Sequence, residues 1–305
     1  MKKKILITYD APDWAYHKNA KVLKKYLSDE FDISLIYDQD KLALVSHLKD
    51  HQYDLVFFQW YKDIDFMMAS GLIHKQKCIS QIATTYIFDR EIEAQGWHGY
   101  RFWPYMVAKN KELYERLYVQ RNGIGVDLAY HVNDHEIFFS QGKKKKKKDF
   151  RVAYVGHTEN PRKGFHLIKK ACEDANVELL FHDHSNKISY ENLPDFYRSA
   201  DVTICASNME GAPNPMIESG LVGTPIITTR VGQIQEMVKN RENAIIVERN
   251  TDAIRDAIIE LKQNDELYDK LSANIAKTCF DWNILALNQW REIFRKCIVT
   301  HTGLR

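Results

Sequence analysis

Residues 201–218, DVTICASNMEGAPNPMIE, contain an apolar segment, a loop and the start of an amphipathic segment. The first seven residues are mostly β-branched or small and apolar, which predicts a buried strand. Asn214 then fits a helix N-cap and Pro215 the first helical position. On that prediction, the N–H groups of Met216 and Ile217 point out of the helix start, where the helix dipole favours an anion such as phosphate.

Two carboxylates flank this predicted anion site. Glu210 lies in the loop before the helix, and Glu218 lies about one turn inside it. A carboxylate can accept two hydrogen bonds from a vicinal diol, the group that a ribose or a hexose offers. A capped helix with two surface glutamates explains this segment equally well when it is taken alone.

The basic residues are concentrated in one short run. Lys plus Arg number 43 against 41 Asp plus Glu, for a formal net charge of +2, and six of the lysines form residues 143–148. The rest of the chain is slightly acidic, which argues against a nucleic-acid-binding surface. Residues 141–150 are predicted to be a solvated, mobile interdomain linker. The lysine run also fits contact with an anionic membrane surface.

The cysteines and the apolar runs predict a cytoplasmic protein. The five cysteines have no C-x-x-C spacing, which is typical of reduced thiols. The N-terminal apolar run is too short for a signal peptide, and no window reaches the ~18 apolar residues of a membrane span. Peripheral attachment at the inner membrane surface stays open because of the lysine run.

Apolar strands alternate with amphipathic helices in both halves of the 305-residue chain. This alternation predicts βαβ units and two doubly wound parallel sheets. The predicted strands of the first half are residues 4–10, 31–38, 53–60 and 77–86. Those of the second half are residues 151–156, 177–183, 201–207, 224–229 and 243–248. A further amphipathic helix is predicted after Phe280-Asp281-Trp282, and its apolar stripe has to pack against another element.

Ligands bind beyond the carboxyl ends of the strands in such sheets. Aromatic and acidic residues at these positions suit the face of a sugar or a lipid-linked acceptor, although packing at a domain interface explains each of them equally well. In the first half they are Asp13, Trp14, His17, Gln59, Trp60, Tyr86 and Asp89. No G-x-G-x-x-G motif is present, so a dinucleotide cofactor is not expected.

The order of the motifs resembles a known family. Gly125-Val126-Asp127 is followed by a VG and a KG motif, then by residues 200–236, ADVTICASNMEGAPNPMIESGLVGTPIITTRVGQIQE, and then by Phe280-Asp281-Trp282. This order resembles the retaining nucleotide-sugar glycosyltransferases of the GT-B fold, and specifically glycosyl transferases group 1, or glycosyltransferase family 4. The resemblance covers roughly residues 123–298 and includes the E-x7-E pair.

The resemblance implies an α/β GT-B fold, in which two Rossmann-like doubly wound domains face a cleft and a C-terminal helix crosses back to the first domain. The implied domains are an acceptor domain at 1–140, the Lys-rich linker at 141–150, a nucleotide-sugar donor domain at 151–281 and a terminal helix at 282–305. The donor is then a nucleotide-diphosphate sugar. No tightly bound cofactor and no metal are expected.

The resemblance also implies roles for individual residues. Glu210, beside the donor sugar, and Lys163, which would neutralise the diphosphate, are the implied catalytic residues, and Glu218 would hold the ribose hydroxyls. The family commonly has an arginine where this chain has His157, and Arg162 is the candidate substitute. The other implied donor-binding residues are Gly156, Tyr190, Gly211, Ala212, Pro213, Asn214, Pro215, Met216 and Ile217. Asp13, Trp14, His17, Tyr86 and Asp89 are the acceptor-side candidates.

The predicted function is hexosyl transfer with retention to a glycan, lipid-linked or other hydroxyl acceptor, as in polysaccharide biosynthesis. Several alternatives stay open. Asp38-Gln39-Asp40 and Asp63-Ile64-Asp65 have the D-x-D form of a metal-dependent GT-A transferase, and His182-Asp183-His184 has two histidines that could bind a metal. The protein could also be a GT-B relative, such as a nucleotide-sugar epimerase or sugar phosphorylase, or a catalytically idle donor-binding partner in a glycan-assembly complex.

Overall fold

The computed structural model contains two compact units, each built on one parallel β-sheet. The first unit comprises Met1–Val132 and Ile284–Arg305, and the second comprises Asn133–Asn283. The chain therefore leaves the first unit once and returns to it near its end. The structure describes residues 1–60, 63–71, 77–93, 96, 103–183 and 185–300.

The described residues of the first unit form six strands with helices between them. The strands are β1 (Lys3–Tyr9), β2 (Phe31–Tyr37), β3 (Leu55–Phe58), β4 (Cys78–Ile82), β5 (Tyr105–Ala108) and β6 (Val126–Leu128). The helices are α1 (Ala15–Leu27), α2 (Lys41–Asp50), α3 (Asp63–Ala69), α4 (Thr85–Ile87), which continues into a π-helical segment (Phe88–Glu93), and α5 (Lys111–Gln120).

The first sheet has the order β2-β1-β3-β4-β5-β6, so the chain builds on one side of β1 and then on the other. This reversal places the expected ligand crevice at the carboxyl ends of β1 and β3. Gln59, directly after β3, donates from Nε2 to the carbonyls of Thr8 at 3.1 Å and Tyr16 at 2.8 Å. These bonds tie the end of β1 and the start of α1 to the same point.

The sequence pattern predicted four of the six strands and missed β5 and β6. Both are short, with four and three residues. The fourth predicted strand also ends earlier than expected. The Thr84 side chain accepts from the N–H of Ile87 at 3.1 Å and begins α4, so β4 stops at Ile82 and does not reach Tyr86.

The second unit has five strands, each inside a segment that the sequence predicted. They are β7 (Arg151–Val155), β8 (Glu178–His182), β9 (Val202–Cys205), β10 (Ile226–Thr228) and β11 (Ile245–Ile246), in the order β11-β10-β9-β7-β8. The connecting helices are α6 (Phe165–Asp174), α7 (Leu193–Ser199), α8 (Asn214–Leu221) and α9 (Ile234–Met237), and α10 (Thr251–Gln263) follows β11. After β8 is added on one side of β7, the later strands are added on the other side, beginning with β9.

One helix of 36 residues, α11 (Asp265–Thr300), ends the described chain. The predicted break at Phe280-Asp281-Trp282 was wrong, because these residues include no proline or glycine to end a helix. Beyond Asn283 the helix belongs to the first unit, where Trp290 Nε1 donates to Tyr130 O at 3.0 Å and the indole packs on Phe57. No helix in the described ranges has an apolar stretch long enough to cross a membrane.

The lysine run differs from the predicted mobile linker, because residues 143–148 lie inside the second unit and two of their side chains turn inward. Lys144 Nζ donates to the carbonyls of Tyr197 and Arg198 in the last turn of α7 and to Thr224 Oγ1. Lys146 Nζ donates at 2.6 Å to a carbonyl in the last turn of α10. The last carbonyls of a helix lack intrahelical partners and carry the negative end of its dipole, so they attract these ammonium groups.

Lys109, directly after β5, is buried, with 3% of its surface exposed. Its Nζ has no hydrogen-bond partner among the described residues and lies 4.4 Å from the ring centre of Trp290. Burial disfavours the charged form and lowers the pKa of Lys109 to about 7. Burial, together with the charges of Lys109 and Lys18, also lowers the pKa of His131 to about 3.

We expect Lys109→Met to be more stable than the wild type at pH 7, and this advantage to shrink toward pH 9. Between pH 7 and pH 9, Lys109 keeps its proton in the unfolded wild type but has largely released it in the folded protein. Its stability therefore rises with pH by up to about 1.4 kcal/mol per pH unit. Melting temperatures of both proteins at pH 7, 8 and 9 measure the effect. Lys49→Met, on an exposed face of α2, is the control and should follow the wild type. A stability difference that stays constant with pH would contradict the lowered pKa.

Candidate active site

The carboxyl ends of β7 and β9 carry the loops that the sequence singled out. These strands pair only through Val152 with Val202 and Ala153 with Thr203, whereas β7 pairs with β8 along its whole length. The two strands therefore separate before their ends, at the point where the chain reverses. A doubly wound sheet opens its ligand crevice at such a switch point.

Lys163 and Glu210 meet between these two loops. Lys163 Nζ donates to Glu210 Oε1 at 2.5 Å, and the Ser207 hydroxyl donates to the same oxygen at 2.6 Å. The Lys163 side chain is 32% exposed and that of Glu210 is 11% exposed. A charge-assisted hydrogen bond in a partly desolvated place is stronger than one on an open surface. Solvent, and hence a ligand, can still reach the ammonium group.

The turn before Lys163 has a defined geometry. The Asn160 side chain accepts from the N–H of Arg162 at 3.1 Å, and Gly164 ends the turn with a left-handed φ of 68°. A Cβ on Gly164 would lie 2.3 Å from the carbonyl oxygen of Ala206. Only glycine therefore lets the loop after β7 rest directly against the end of β9.

Gly232 makes a similar close approach on the other side of Glu210. Its φ is 49°, and a Cβ there would lie 2.3 Å from Gly211 O and 2.6 Å from Glu210 O. The next residue, Gln233, donates its N–H to Gly211 O at 2.7 Å. The loop that carries Glu210 is thus held from both sides.

The start of α8 differs from the prediction by one residue. The helix begins at Asn214, so Pro215 is its second residue and Pro213 occupies the cap position without a side-chain capping bond. The predicted Asn214 cap was therefore wrong. The N–H of Met216, expected to point out of the helix start, donates to Pro213 O at 2.9 Å and closes the first turn. An anion at this end would have to be bound by other groups than this N–H.

Glu218 is 5% exposed and accepts a hydrogen bond from the Tyr197 hydroxyl of α7 at 2.8 Å. Burial, and then the adjacent Glu218 carboxylate, raises the pKa of Tyr197 well above its ordinary value, so the phenol remains a donor. The two carboxylates of the E-x7-E pair thus have different partners: Glu210 pairs with a lysine, and Glu218 is fixed by a tyrosine.

The other predicted donor residues lie around the ends of β7 and β8. Gly156 donates its N–H to His182 O at 3.0 Å and so extends the pairing of these strands. His157 is exposed, and its carbonyl accepts from the Tyr154 hydroxyl at 3.3 Å. Tyr190 is half-buried with its ring against Phe138.

The acceptor-side candidates of the first unit form two separate groups. After β1, the Asp13 N–H donates to His17 Nδ1 at 2.8 Å, the His17 ring stacks on Tyr9, and Trp14 is 58% exposed. After β4, the Tyr86 hydroxyl accepts from Arg90 at 3.0 Å. Asp89, next in this second group, pairs with Arg116 at 2.6 Å. The exposed Trp14 offers the largest apolar ring face among these residues.

The two D-x-D segments contribute buried acids to the first unit. Asp38 and Asp63 are 0% and 1% exposed, and Lys41 Nζ lies 3.6 Å and 2.5 Å from their respective Oδ1 atoms. Burial, and then the charge of Asp38, raises the pKa of Asp63 to about 7. Among the described residues no three His, Cys, Asp or Glu side chains are grouped to hold a metal ion, and His184 lies outside those residues.

The second unit is similar to a known protein family over most of its length. Residues 139–278 match the profile of the family described as glycosyl transferases group 1. The match includes the switch point, Lys163, Glu210 and Glu218. Over this segment the chain is similar to glycosyl transferases group 1.

A curated protein extends the comparison beyond this segment. An uncharacterized glycosyltransferase of Methanocaldococcus jannaschii is 24% identical over 178 residues, which is 54% of this chain and 49% of that protein. The match therefore spans about half the length of this curated relative.

Two solved structures match nearly the whole chain. Anabaena HepE in complex with UDP and glucose has a TM-score of 0.74 at 14% identity, covering 96% of this chain and 99% of that one. Sucrose-phosphate synthase of Thermosynechococcus elongatus has a TM-score of 0.77 at 14% identity, covering 97% and 99%. The fold is therefore GT-B, with two parallel α/β sheets, as the motif order implied.

Sequence reasoning missed three residues that shape the candidate site. Ser207, Tyr197 and Gly232 hold Glu210, Glu218 and the Glu210 loop respectively. Ser207 could have been found, because it lies three residues before Glu210 at the end of a predicted strand. Tyr197 could not, since nothing in the sequence links the interior of one helix to the start of another.

We expect Gly232→Ala to weaken the binding of a nucleoside diphosphate and to lower the melting temperature. The new methyl group would collide with the carbonyls of Glu210 and Gly211 and push their loop away from Lys163. Gly142→Ala is the matched control, because Gly142 also has a positive φ, 97°, but no atom within 4 Å of the added Cβ. The control should show only the conformational strain, of about 1 kcal/mol. If Gly232→Ala and Gly142→Ala bound the nucleoside diphosphate equally well, the proposed collision at Gly232 would be wrong.

Proposed function

We propose that this protein is a retaining glycosyltransferase, which moves a sugar from a nucleoside-diphosphate sugar to a hydroxyl group of a glycan or lipid-linked acceptor. The observation that carries the proposal is the Lys163–Glu210 pair at the switch point of the second sheet, within the segment that matches the family. A partly exposed cation beside an aligned carboxylate suits a reaction that separates charge between a sugar and a phosphate.

The leaving group determines the role proposed for Lys163. When the bond between the anomeric carbon and the diphosphate breaks, negative charge grows on the phosphate oxygen and positive charge on the sugar ring. A cation that is already in place lowers this barrier without reorganisation during the reaction. Lys163 is held by its turn and by Glu210, and its ammonium is accessible, so it fits this position.

The donor would change the partner of Lys163. A bound diphosphate competes with Glu210 for the ammonium, and the carboxylate, still held by Ser207, can then offset the positive charge of the sugar ring. The acceptor oxygen forms its bond to the anomeric carbon on the face from which the diphosphate leaves. A phosphate oxygen of the leaving group takes the acceptor proton. This sequence of steps retains the anomeric configuration.

The surrounding residues have supporting roles in this proposal. Arg162, in the turn, and His157, before it, would bind phosphate oxygens, with the backbone of residues 211–217, apart from the Met216 N–H, beside them. Glu218, which the Tyr197 hydroxyl holds at one oxygen, would accept from the ribose hydroxyls. Tyr190, at the end of the connection after β8, would lie on the nucleobase side.

The first unit would bind the acceptor. Trp14 presents an exposed ring next to Asp13 and His17, and aromatic rings stack on the apolar faces of sugars while neighbouring polar groups bind hydroxyls. Tyr86 and Asp89 are the second acceptor group. The solved HepE complex contains UDP and glucose, so UDP-glucose is the first donor to test on this chain.

We expect Lys163→Met and Glu210→Gln each to reduce glycosyl transfer, or donor hydrolysis in the absence of an acceptor, by about 100-fold or more. Thermal-shift measurements with UDP, GDP, ADP and dTDP sugars would first identify the donor, because a ligand that binds only the folded state raises the melting temperature. Lys169→Met and Glu173→Gln, exposed on α6, are the matched controls. Wild-type turnover in both site variants would reject the assignment. Donor binding without transfer or hydrolysis would favour the idle partner instead.

Retention is tested separately. With an α-linked donor, we expect the first product observed by proton NMR to carry the small anomeric coupling of an α-linkage. Time-resolved spectra separate the enzymatic product from later mutarotation of any free sugar. A β-linked first product would mean inversion, and would require Glu210 to act as a base on the acceptor and not as electrostatic support.

A further inference from the structure

Arg249 connects the loops that carry Lys163 and Glu210, although it follows a different strand. Its Nε donates to Ala206 O at 2.9 Å, and its Nη2 donates to Pro161 O at 2.6 Å. Ala206 is the first residue after β9, and Pro161 begins the turn that ends at Lys163. One side chain therefore joins the backbones of two loops at the switch point.

The backbone of Arg249 is itself well anchored. It lies between β11 and the start of α10, where the Asn250 side chain accepts from the N–H of Ala253 at 2.8 Å and caps the helix. β11 pairs with β10 in the sheet. The Arg249 backbone is thus held between a paired strand and a capped helix of the second unit.

The chemistry of the guanidinium makes this contact specific. Its N–H groups lie in one plane at fixed spacing, so two carbonyls bound to it are held at a set separation. A lysine ammonium at the same place has no such fixed spacing. The bridge also gives a donor to Ala206 O, just beyond the end of β9, and a second donor to Pro161 O, which already accepts from the Gly164 N–H at 3.3 Å.

Three further contacts between the two loops stand beside the bridge. The N–H of Asn208 donates to Arg162 O at 3.0 Å, and Gly164 packs against Ala206. Lys163 and Glu210 make the third connection, and a donor diphosphate would compete for that lysine. Once the donor is bound, the relative position of the two loops would therefore depend more strongly on the Arg249 bridge.

We propose that Arg249 is a positioning residue, which sets the separation of Lys163 from Glu210 by bridging Pro161 O and Ala206 O. The inference rests on the proposed transfer reaction. Lys163 lies two residues after one bridged carbonyl, and Glu210 lies four residues after the other. A shift of the loops by about 1 Å moves a catalytic group out of reach and can reduce the rate by about 100-fold.

Hydrogen exchange tests the bridge without any assay of activity. In Arg249→Ala, the amides of residues 157–164 and 206–213 should exchange faster than in the wild type. Arg255→Ala is the matched control, since Arg255 pairs with Asp252 and Asp256 on the exposed side of α10. It should leave exchange in both loops unchanged. Unchanged exchange in Arg249→Ala would overturn the bridge.

Kinetics then separate positioning from general stability. With the donor that the wild type uses, Arg249→Ala and Arg249→Lys should reduce kcat about 10-fold or more, with a smaller change in KM for the donor. Millimolar guanidinium should partly restore kcat in Arg249→Ala, whereas Arg255→Ala should keep wild-type kcat. In a double-mutant cycle, the losses from Arg249→Ala and Lys163→Met should not add, because both act through the same ammonium.

The outcomes are distinct. Faster loop exchange with full kcat would overturn the positioning role. Fully additive losses would also overturn it, because Arg249 would then act independently of Lys163. An inactive wild type with every donor would refute the proposed function, and hydrogen exchange alone would then decide whether Arg249 holds the loops together.

Discussion

The early separation of β7 from β9 is the constraint on which the rest of the candidate site depends. Parallel strands that pair to their ends leave no room between them, whereas these two pair through only two residue pairs. The loops beyond must then be held by contacts other than a β-ladder. Glycines 164 and 232, the Ser207 hydroxyl and the Arg249 guanidinium meet this need by different means: close backbone approach, a hydrogen bond and a bridge.

Much of the second unit follows from its sequence, because each strand there contains a short apolar run flanked by polar residues. The Lys163 turn and the Glu210 loop were likewise placed correctly at the carboxyl ends of their strands. The start of α8 was displaced by one residue, since Pro213, Asn214 and Pro215 in succession fit more than one capping arrangement. Side-chain partners such as Tyr197 depend on packing between elements distant in sequence, and no local pattern encodes them.

The lysines show why composition alone was a poor guide to charge. A run of six lysines predicted a solvated segment, yet Lys144 and Lys146 end at the unsatisfied carbonyls of two helices. Burial lowers the pKa of Lys144 to about 8, and that of Lys109 to about 7. A formal net charge of +2 therefore counts ammonium groups that are partly neutral in the folded protein.

The division of the first unit between the two ends of the chain has a consequence for synthesis on the ribosome. Trp290, which is 0% exposed against Phe57, is translated after all of residues 133–283. At ordinary elongation rates, these ~150 residues take roughly 10 to 30 s to appear. During that interval the nascent amino-terminal sheet exposes the apolar face that α11 later covers, whereas the second unit emerges as one uninterrupted segment. Chaperone contact during translation would then concentrate on the earlier-made part of the polypeptide.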